Sequence, residues 1–263
     1  MGHPRCIPTA SECGDGRSTL LELVCAREAG EYEGDVDSLA IRVPYRVPGR
    51  VLNAPPEGLA KISNGTTHAF LLTPPVIDPE RRYPLLTVLH GAGRQDELLC
   101  KGYRGEAAAR DCLFMIPRST DFTWDLLTGA NRPDLDFLEQ VYAGIYARLP
   151  VDPDRQALIG YSDGASYALA LGLSNPRRFR AVMGWAAGFV AIDTRLIGPD
   201  DPKPRILLEH GTHDVVFPFE QVCAPNVELL RRLGYEVDLR VDEGGIHWPS
   251  PAFQTTALDW FLI

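Results

Sequence analysis

Residues 157–166 read Ala157-Leu-Ile-Gly-Tyr-Ser-Asp-Gly-Ala-Ser166, and this stretch decides the fold. An apolar run of strand type enters the pattern G-x-S-x-G, with Gly160, Ser162 and Gly164 at its fixed positions. The small residues that follow open what the spacing predicts as a helix over 164–175, halted before Pro176. A serine on so sharp a strand-to-helix turn is held in a strained backbone region, with its hydroxyl lifted above the sheet. Side chains two positions to either side would collide with the turn, which explains glycine at 160 and 164. The dipole of the following helix favours negative charge developing beside Ser162.

Outward from this junction the chain alternates strand, turn and helix. Upstream, Ala69–Thr73, Leu85–His90 and Leu113–Ile116 are apolar runs of strand type, and Phe137, Val141, Ile145 and Leu149 form one helical stripe. Downstream the pattern predicts strands at 181–186, 205–210 and 235–241, and helices at 164–175, 219–233 and about 252–262. Strands alternating with helices imply right-handed crossovers and a mostly parallel sheet covered on both faces, an α/β architecture. Only residues 187–204 separate two of the strands, too few for a large lid. Residues 1–50 are rich in Gly, Pro, Asp and Glu and hold no catalytic pattern. They are expected to form an extension packed on a main domain of residues 51–263. Within them Thr19-x-x-Glu22 is a capping box for a short helix, and 38–47 alternates weakly enough to suggest an added strand.

Composition narrows the function classes. The 263 residues carry 26 Lys and Arg against 35 Asp and Glu, a net charge of −9, which disfavours nucleic acid or an anionic membrane as partner. No stretch approaches the ~20 apolar residues of a membrane span, and the apolar run 20–26 is too short and too broken by Glu22 for a secretory signal. Six cysteines without a C-x-x-C pair fit reduced thiols, so a cytoplasmic protein is expected.

A serine hydroxyl needs a base to take its proton, and in this architecture the acid and the base follow it on loops after later strands. Gly211-Thr-His-Asp214 ends one such strand and Gly244-Gly-Ile-His247 follows the next. Ser162 is therefore assigned as nucleophile, His247 as general base and then acid, and Asp214 as the group that orients His247. His213 adjoins Asp214 and is badly placed to be the base, while His210 ends a strand and suits a buried, hydrogen-bonded role. A metal site at His210-x-x-His213-Asp214 lacks a helix presenting two imidazoles, so neither metal nor cofactor is expected. Asp242 and Glu243 are the reserve acids. The oxyanion needs preorganised donors. They are assigned to the backbone N–H groups of Asp163 and of Ala92, the latter within His90-Gly-Ala-Gly93, a loop that His90 would hold by a side-chain hydrogen bond. Arg94, Trp124, Trp185, Phe217 and Trp248 are the candidate pocket residues: aromatic walls for an acyl group, and a guanidinium suited to a substrate anion if it points inward.

The order His-Gly-x-Gly, G-x-S-x-G, Gly-x-x-Asp and a late Gly-x-His resembles the α/β-hydrolase superfamily over roughly residues 57–263. Gly160-Tyr-Ser-Asp-Gly-Ala-Ser-Tyr-Ala-Leu-Ala170 and Val151-Asp-Pro-Asp-Arg155 are similar to small serine esterases of the phospholipase/carboxylesterase and polyhydroxybutyrate depolymerase/feruloyl esterase groups. The resemblance implies an α/β-hydrolase fold without a large lid. It also implies metal-free hydrolysis of a small or aromatic acyl ester or thioester through an acyl-enzyme. Two other readings keep the fold: acyl transfer or lactone formation by the same three residues, and a non-catalytic receptor. Residues 1–50, Arg94 after the oxyanion loop and the bulk of Trp185 depart from the family pattern.

Overall fold

The computed structural model describes residues 39–49, 51–129, 132–192, 197–250 and 252–263. The capping box at Thr19–Glu22 and the cysteines Cys6, Cys13 and Cys25 lie outside the described residues. In chain order the first elements are β1 (Leu59–Ser63), β2 (His68–Leu72), β3 (Tyr83–Leu89), α1 (Asp96–Arg110), β4 (Leu113–Pro117) and the short α2 (Asp125–Thr128). They are followed by α3 (Pro133–Tyr146), β5 (Val151–Tyr161), α4 (Asp163–Ser174), β6 (Ala181–Trp185) and β7 (Arg205–Gly211). The chain ends through α5 (Ala224–Arg232), β8 (Val237–Asp242) and α6 (Phe253–Leu262).

All eight strands form one sheet in the order β1-β2-β4-β3-β5-β6-β7-β8. β2 is antiparallel to both neighbours, and every pair from β4 to β8 is parallel. Each residue of β3, β4 and β6 is buried, as expected where both faces of a parallel sheet are covered. The two-residue period divides the apolar side chains between the faces. Leu85, Met115, Leu158 and Leu208 join Val141 and Ile145 of α3 and Leu169 of α4. Leu86, Phe114, Ile159 and Leu207 join Tyr103 of α1 and Phe253 and Leu258 of α6. Burying each such side chain fully is worth about 1.5–3 kcal/mol.

Several boundaries differ from the sequence reading. β5 begins at Val151, so Val151–Arg155 belongs to the strand, and α3 begins at Pro133. The single helix expected at 219–233 is a π-helical turn, Phe219–Cys223, followed by α5 with Pro225 in its first turn. The added strand suggested near 38–47 does not form: residues 40–48 carry no strand. Leu39 and Ile41 are nevertheless buried against the main core. The Asn175 amide supplies the pairing a neighbouring strand would have given, accepting the Ile41 N–H at 2.7 Å and donating to the Leu39 carbonyl at 2.8 Å. Among the described residues no helix is long and apolar enough to cross a membrane.

Candidate active site

The turn between β5 and α4 has the strain its motif predicts. Ser162 sits at φ 53° and ψ −118°, and its N–H donates to the carbonyl of Trp185 at 2.8 Å. A Cβ at position 160 would lie 2.2 Å from the carbonyl oxygen of Gly164. One at position 164 would lie 2.4 Å from the carbonyl oxygens of both Leu89 and His90. Both glycines are therefore required by backbone packing, because the obstructing atoms cannot swing aside.

Three loops at the carboxyl edge of the sheet bring Ser162, His247 and Asp214 into one line. His247 Nε2 lies 2.9 Å from Ser162 Oγ, and His247 Nδ1 lies 2.8 Å from Asp214 Oδ2. The other carboxylate oxygen, Oδ1, accepts the N–H groups of Val216 and Phe217, each at 2.8 Å. Asp214 thus acts as acceptor on every side, which places the proton of His247 on Nδ1 and leaves Nε2 free to receive one from Ser162. The loop bearing His247 is fastened separately: Trp185 Nε1 donates to the His247 carbonyl at 2.9 Å, and the Ser250 hydroxyl donates to Glu209 at 2.6 Å. His210 donates from Nε2 to the Phe217 carbonyl at 2.8 Å and stands 3.2 Å from Asp214 Oδ2, behind the line. His213 and Glu243 are exposed. Asp242 serves the turn, accepting the Thr212 N–H on its carbonyl. Among the described residues no group of three or more His, Cys, Asp or Glu gathers to hold a metal ion.

The two assigned oxyanion donors are oriented through the opposite ends of their own peptide groups. His90 Nε2 accepts the Ser119 N–H at 3.0 Å, so its proton is on Nδ1 and is donated to the Gly91 carbonyl at 2.6 Å. In a trans peptide the N–H points opposite to the C=O. Pinning the Gly91 oxygen therefore turns the Ala92 N–H the other way. The Ser162 carbonyl likewise accepts the N–H groups of Ala165 and Ser166, at 2.8 and 3.1 Å, which directs the Asp163 N–H out of the helix N-terminus. The Gln95 side chain also donates to the Ala92 carbonyl. This clamp was absent from the sequence reading, although a polar side chain three residues past Ala92 is a local signal for it.

Burial lowers the pKa of both His90 and His210, so each is neutral in the folded protein. Below the unfolded value of about 6.5 the unfolded chain binds protons that these two folded imidazoles refuse, so stability is present above that pH and lost as pH falls. Both histidines therefore contribute to a loss of stability as pH falls from 7.5 to 5.5. Urea melts at pH 7.5 and 5.5 measure it, and an unchanged or rising midpoint at the lower pH would contradict it.

The candidate pocket residues separate into two groups. Trp124 is 0% exposed, stacked between His90 and Tyr167 with centroids 4.6 and 5.0 Å away, and its Nε1 donates to the His90 carbonyl at 2.8 Å. Trp185 is equally buried, edge-on to Phe253 at 5.8 Å. Neither is a pocket wall, because their rings support the two loops from below. Arg94, with φ 60°, turns its guanidinium onto the carbonyls of Thr120 and Asp121 rather than toward a substrate anion. Phe217 does stand at the site, edge-on to the His247 ring at 5.3 Å. Trp248 is 63% exposed beside His247.

No family model matches the sequence. NocK of Nocardia uniformis subsp. tsuyamanensis, named as a candidate esterase, is 29% identical over 151 residues, 54% of this chain. The match spans 43% of that relative's length, less than half. Among solved structures, an S-formylglutathione hydrolase from Staphylococcus aureus superposes with a TM-score of 0.63 at 15% identity, covering 83% of this chain and 100% of the other. An alpha/beta hydrolase enzyme, MGS-M1, from a Medee basin deep-sea metagenome library gives 0.54 at 18% identity, covering 72% and 83%. The chain has the α/β-hydrolase fold. β2 to β8 provide its mostly parallel sheet, and α1, α3, α4 and α6 cover its two faces. Between β6 and β7, residues 186–204 are too few to form a large lid.

Proposed function

We propose that the chain is a serine hydrolase of small carboxylic esters or thioesters that works through an acyl-enzyme. The observation that carries this reading is the continuous line from Ser162 Oγ to His247 Nε2 at 2.9 Å and from His247 Nδ1 to Asp214 Oδ2 at 2.8 Å. Ser162 Oγ attacks the acyl carbon as its proton passes to Nε2 of His247, and the carbonyl π pair moves to oxygen. The resulting oxyanion is met by the Ala92 and Asp163 N–H groups, and the Asp214 carboxylate stabilises the imidazolium. Collapse expels the alcohol or thiol, which takes the proton from His247. Water then repeats the sequence and releases the acid and Ser162.

A small substrate fits a site bordered by Phe217 and Trp248, over which no large lid lies among the described residues. The likeness to an S-formylglutathione hydrolase supports a small acyl group and a thioester as alternative to an oxygen ester. A cytoplasmic setting with reduced thiols accords with Cys100, Cys112 and Cys223, which are buried and free. Burial pushes the thiols of Cys112 and Cys223 up to about 12, so neither competes as nucleophile. The test is labelling by a fluorophosphonate. Uptake of one phosphonyl group per chain, mapped to Ser162 by mass spectrometry, together with turnover of short p-nitrophenyl esters, is the expected result. A chain that takes no label and cleaves no ester would refute the reading.

A further inference from the structure

The segment Ser119–Trp124, between β4 and α2, lies outside the line of Ser162, His247 and Asp214, yet it is bonded to both halves of the oxyanion site. Toward the loop of Ala92, the Gly93 N–H donates to the Phe122 carbonyl at 2.9 Å, and Arg94 donates to the Thr120 and Asp121 carbonyls. Ser119 N–H and the Trp124 indole both bond to His90, at 3.0 and 2.8 Å. Toward the nucleophile turn the segment makes a side-chain bond: the Thr123 hydroxyl donates to Asp163 Oδ2 at 2.7 Å. The segment is itself anchored, with the Thr120 N–H on Asp134 Oδ1 at 2.6 Å.

The Thr123–Asp163 bond bears on the chemistry because of where Asp163 stands. Its backbone N–H is one of the two oxyanion donors, and its carboxylate hangs from the same residue. A negative charge free to swing toward the developing oxyanion would raise the barrier, the more so in a site of reduced dielectric. G-x-S-x-G leaves the residue after the serine open, and in this chain that residue is acidic.

We propose that Thr123 is a positioning residue for the oxyanion hole: its hydroxyl fixes the Asp163 carboxylate away from the oxyanion, so that the Asp163 N–H acts unopposed. This rests on the reading of Ser162 as nucleophile. Thr123 exchanges no proton and forms no covalent bond in the cycle.

The test compares Thr123→Val, which keeps the shape and removes the hydroxyl, with Thr123→Ser, which keeps the hydroxyl, using p-nitrophenyl acetate. Thr123→Val should lower kcat on the order of 10-fold with KM little changed, and Thr123→Ser should stay near wild type. Adding Asp163→Asn to Thr123→Val should recover much of the lost rate, because the unheld charge is gone. A purely structural Thr123 would lower the melting temperature, and the added Asp163→Asn would then restore none of the rate lost in Thr123→Val. Undiminished kcat in Thr123→Val, or a loss that neither Thr123→Ser nor the second substitution reverses, overturns the role of Thr123 while the hydrolase stands. A wild type that neither turns over the ester nor takes the fluorophosphonate overturns the nucleophile reading and this inference with it.

Discussion

His247→Ala is expected to lower kcat for a p-nitrophenyl ester about a million-fold and to abolish fluorophosphonate uptake at Ser162. The magnitude follows from the absence of a substitute base among the described residues. His90 has both ring nitrogens committed, to the Gly91 carbonyl and the Ser119 N–H. His210 faces Asp214 from behind, and His213 is exposed. The loss should be chemical rather than conformational. The His247 side chain is 26% exposed, and the bond that fastens its loop to Trp185 is made by the backbone carbonyl, which the substitution keeps. The Ser250–Glu209 bond also survives. Thermal melts should therefore stay within a few degrees of wild type, and a variant keeping more than about a hundredth of the rate would remove His247 as the base.

The sheet and the line of the site were legible because both are written in backbone-level rules. Buried parallel strands need largely apolar runs, which Leu85–Leu89 and Ala181–Trp185 supply, and the turn at Ser162 needs glycine where Gly160 and Gly164 stand. Three elements escaped the sequence reading, one of them the single-turn α2 (Asp125–Thr128). β1 is an edge strand of which no residue is fully buried, and α1 carries Asp96, Glu97, Lys101, Arg104, Glu106 and Arg110 and buries only Cys100, Tyr103 and Ala107 of its apolar residues, so its stripe is faint. Side-chain direction was less legible still. Trp124 and Trp185 occupy segments that adjoin the site, yet their indoles turn inward. An indole N–H needs an acceptor, and those at hand are the carbonyls of His90 and His247 beneath the loops. Arg94 is decided the same way, by two carbonyls on a neighbouring loop that no sequence pattern places there. Contacts such as Thr123 with Asp163 join residues forty positions apart and depend on how β4 and β5 flank β3.

Asp214→Asn should cost about 10⁴-fold in kcat with little change in KM, although it alters neither volume nor shape. The two oxygens of Asp214 have different neighbours, and those neighbours dictate how an amide must sit. Oδ1 receives two backbone N–H groups, from Val216 and Phe217, so the asparagine oxygen is forced into that place. The amide nitrogen then takes the position of Oδ2, 2.8 Å from His247 Nδ1 and 3.2 Å from His210 Nε2. There it can only donate. His247 must turn Nδ1 into an acceptor and carry its proton on Nε2, pointing at Ser162 Oγ, in the tautomer that cannot take the serine proton. His210 meets a donor where it had an acceptor, which leaves it bonded to the Phe217 carbonyl alone. Asp214→Ala is the control. It frees His247 to sample both tautomers, so it should be no less active than Asp214→Asn despite removing more atoms. Steady-state kinetics of the two variants decide the matter. An asparagine variant within about 10-fold of wild type, or one well above the alanine variant, would mean that Asp214 does not set the protonation of His247.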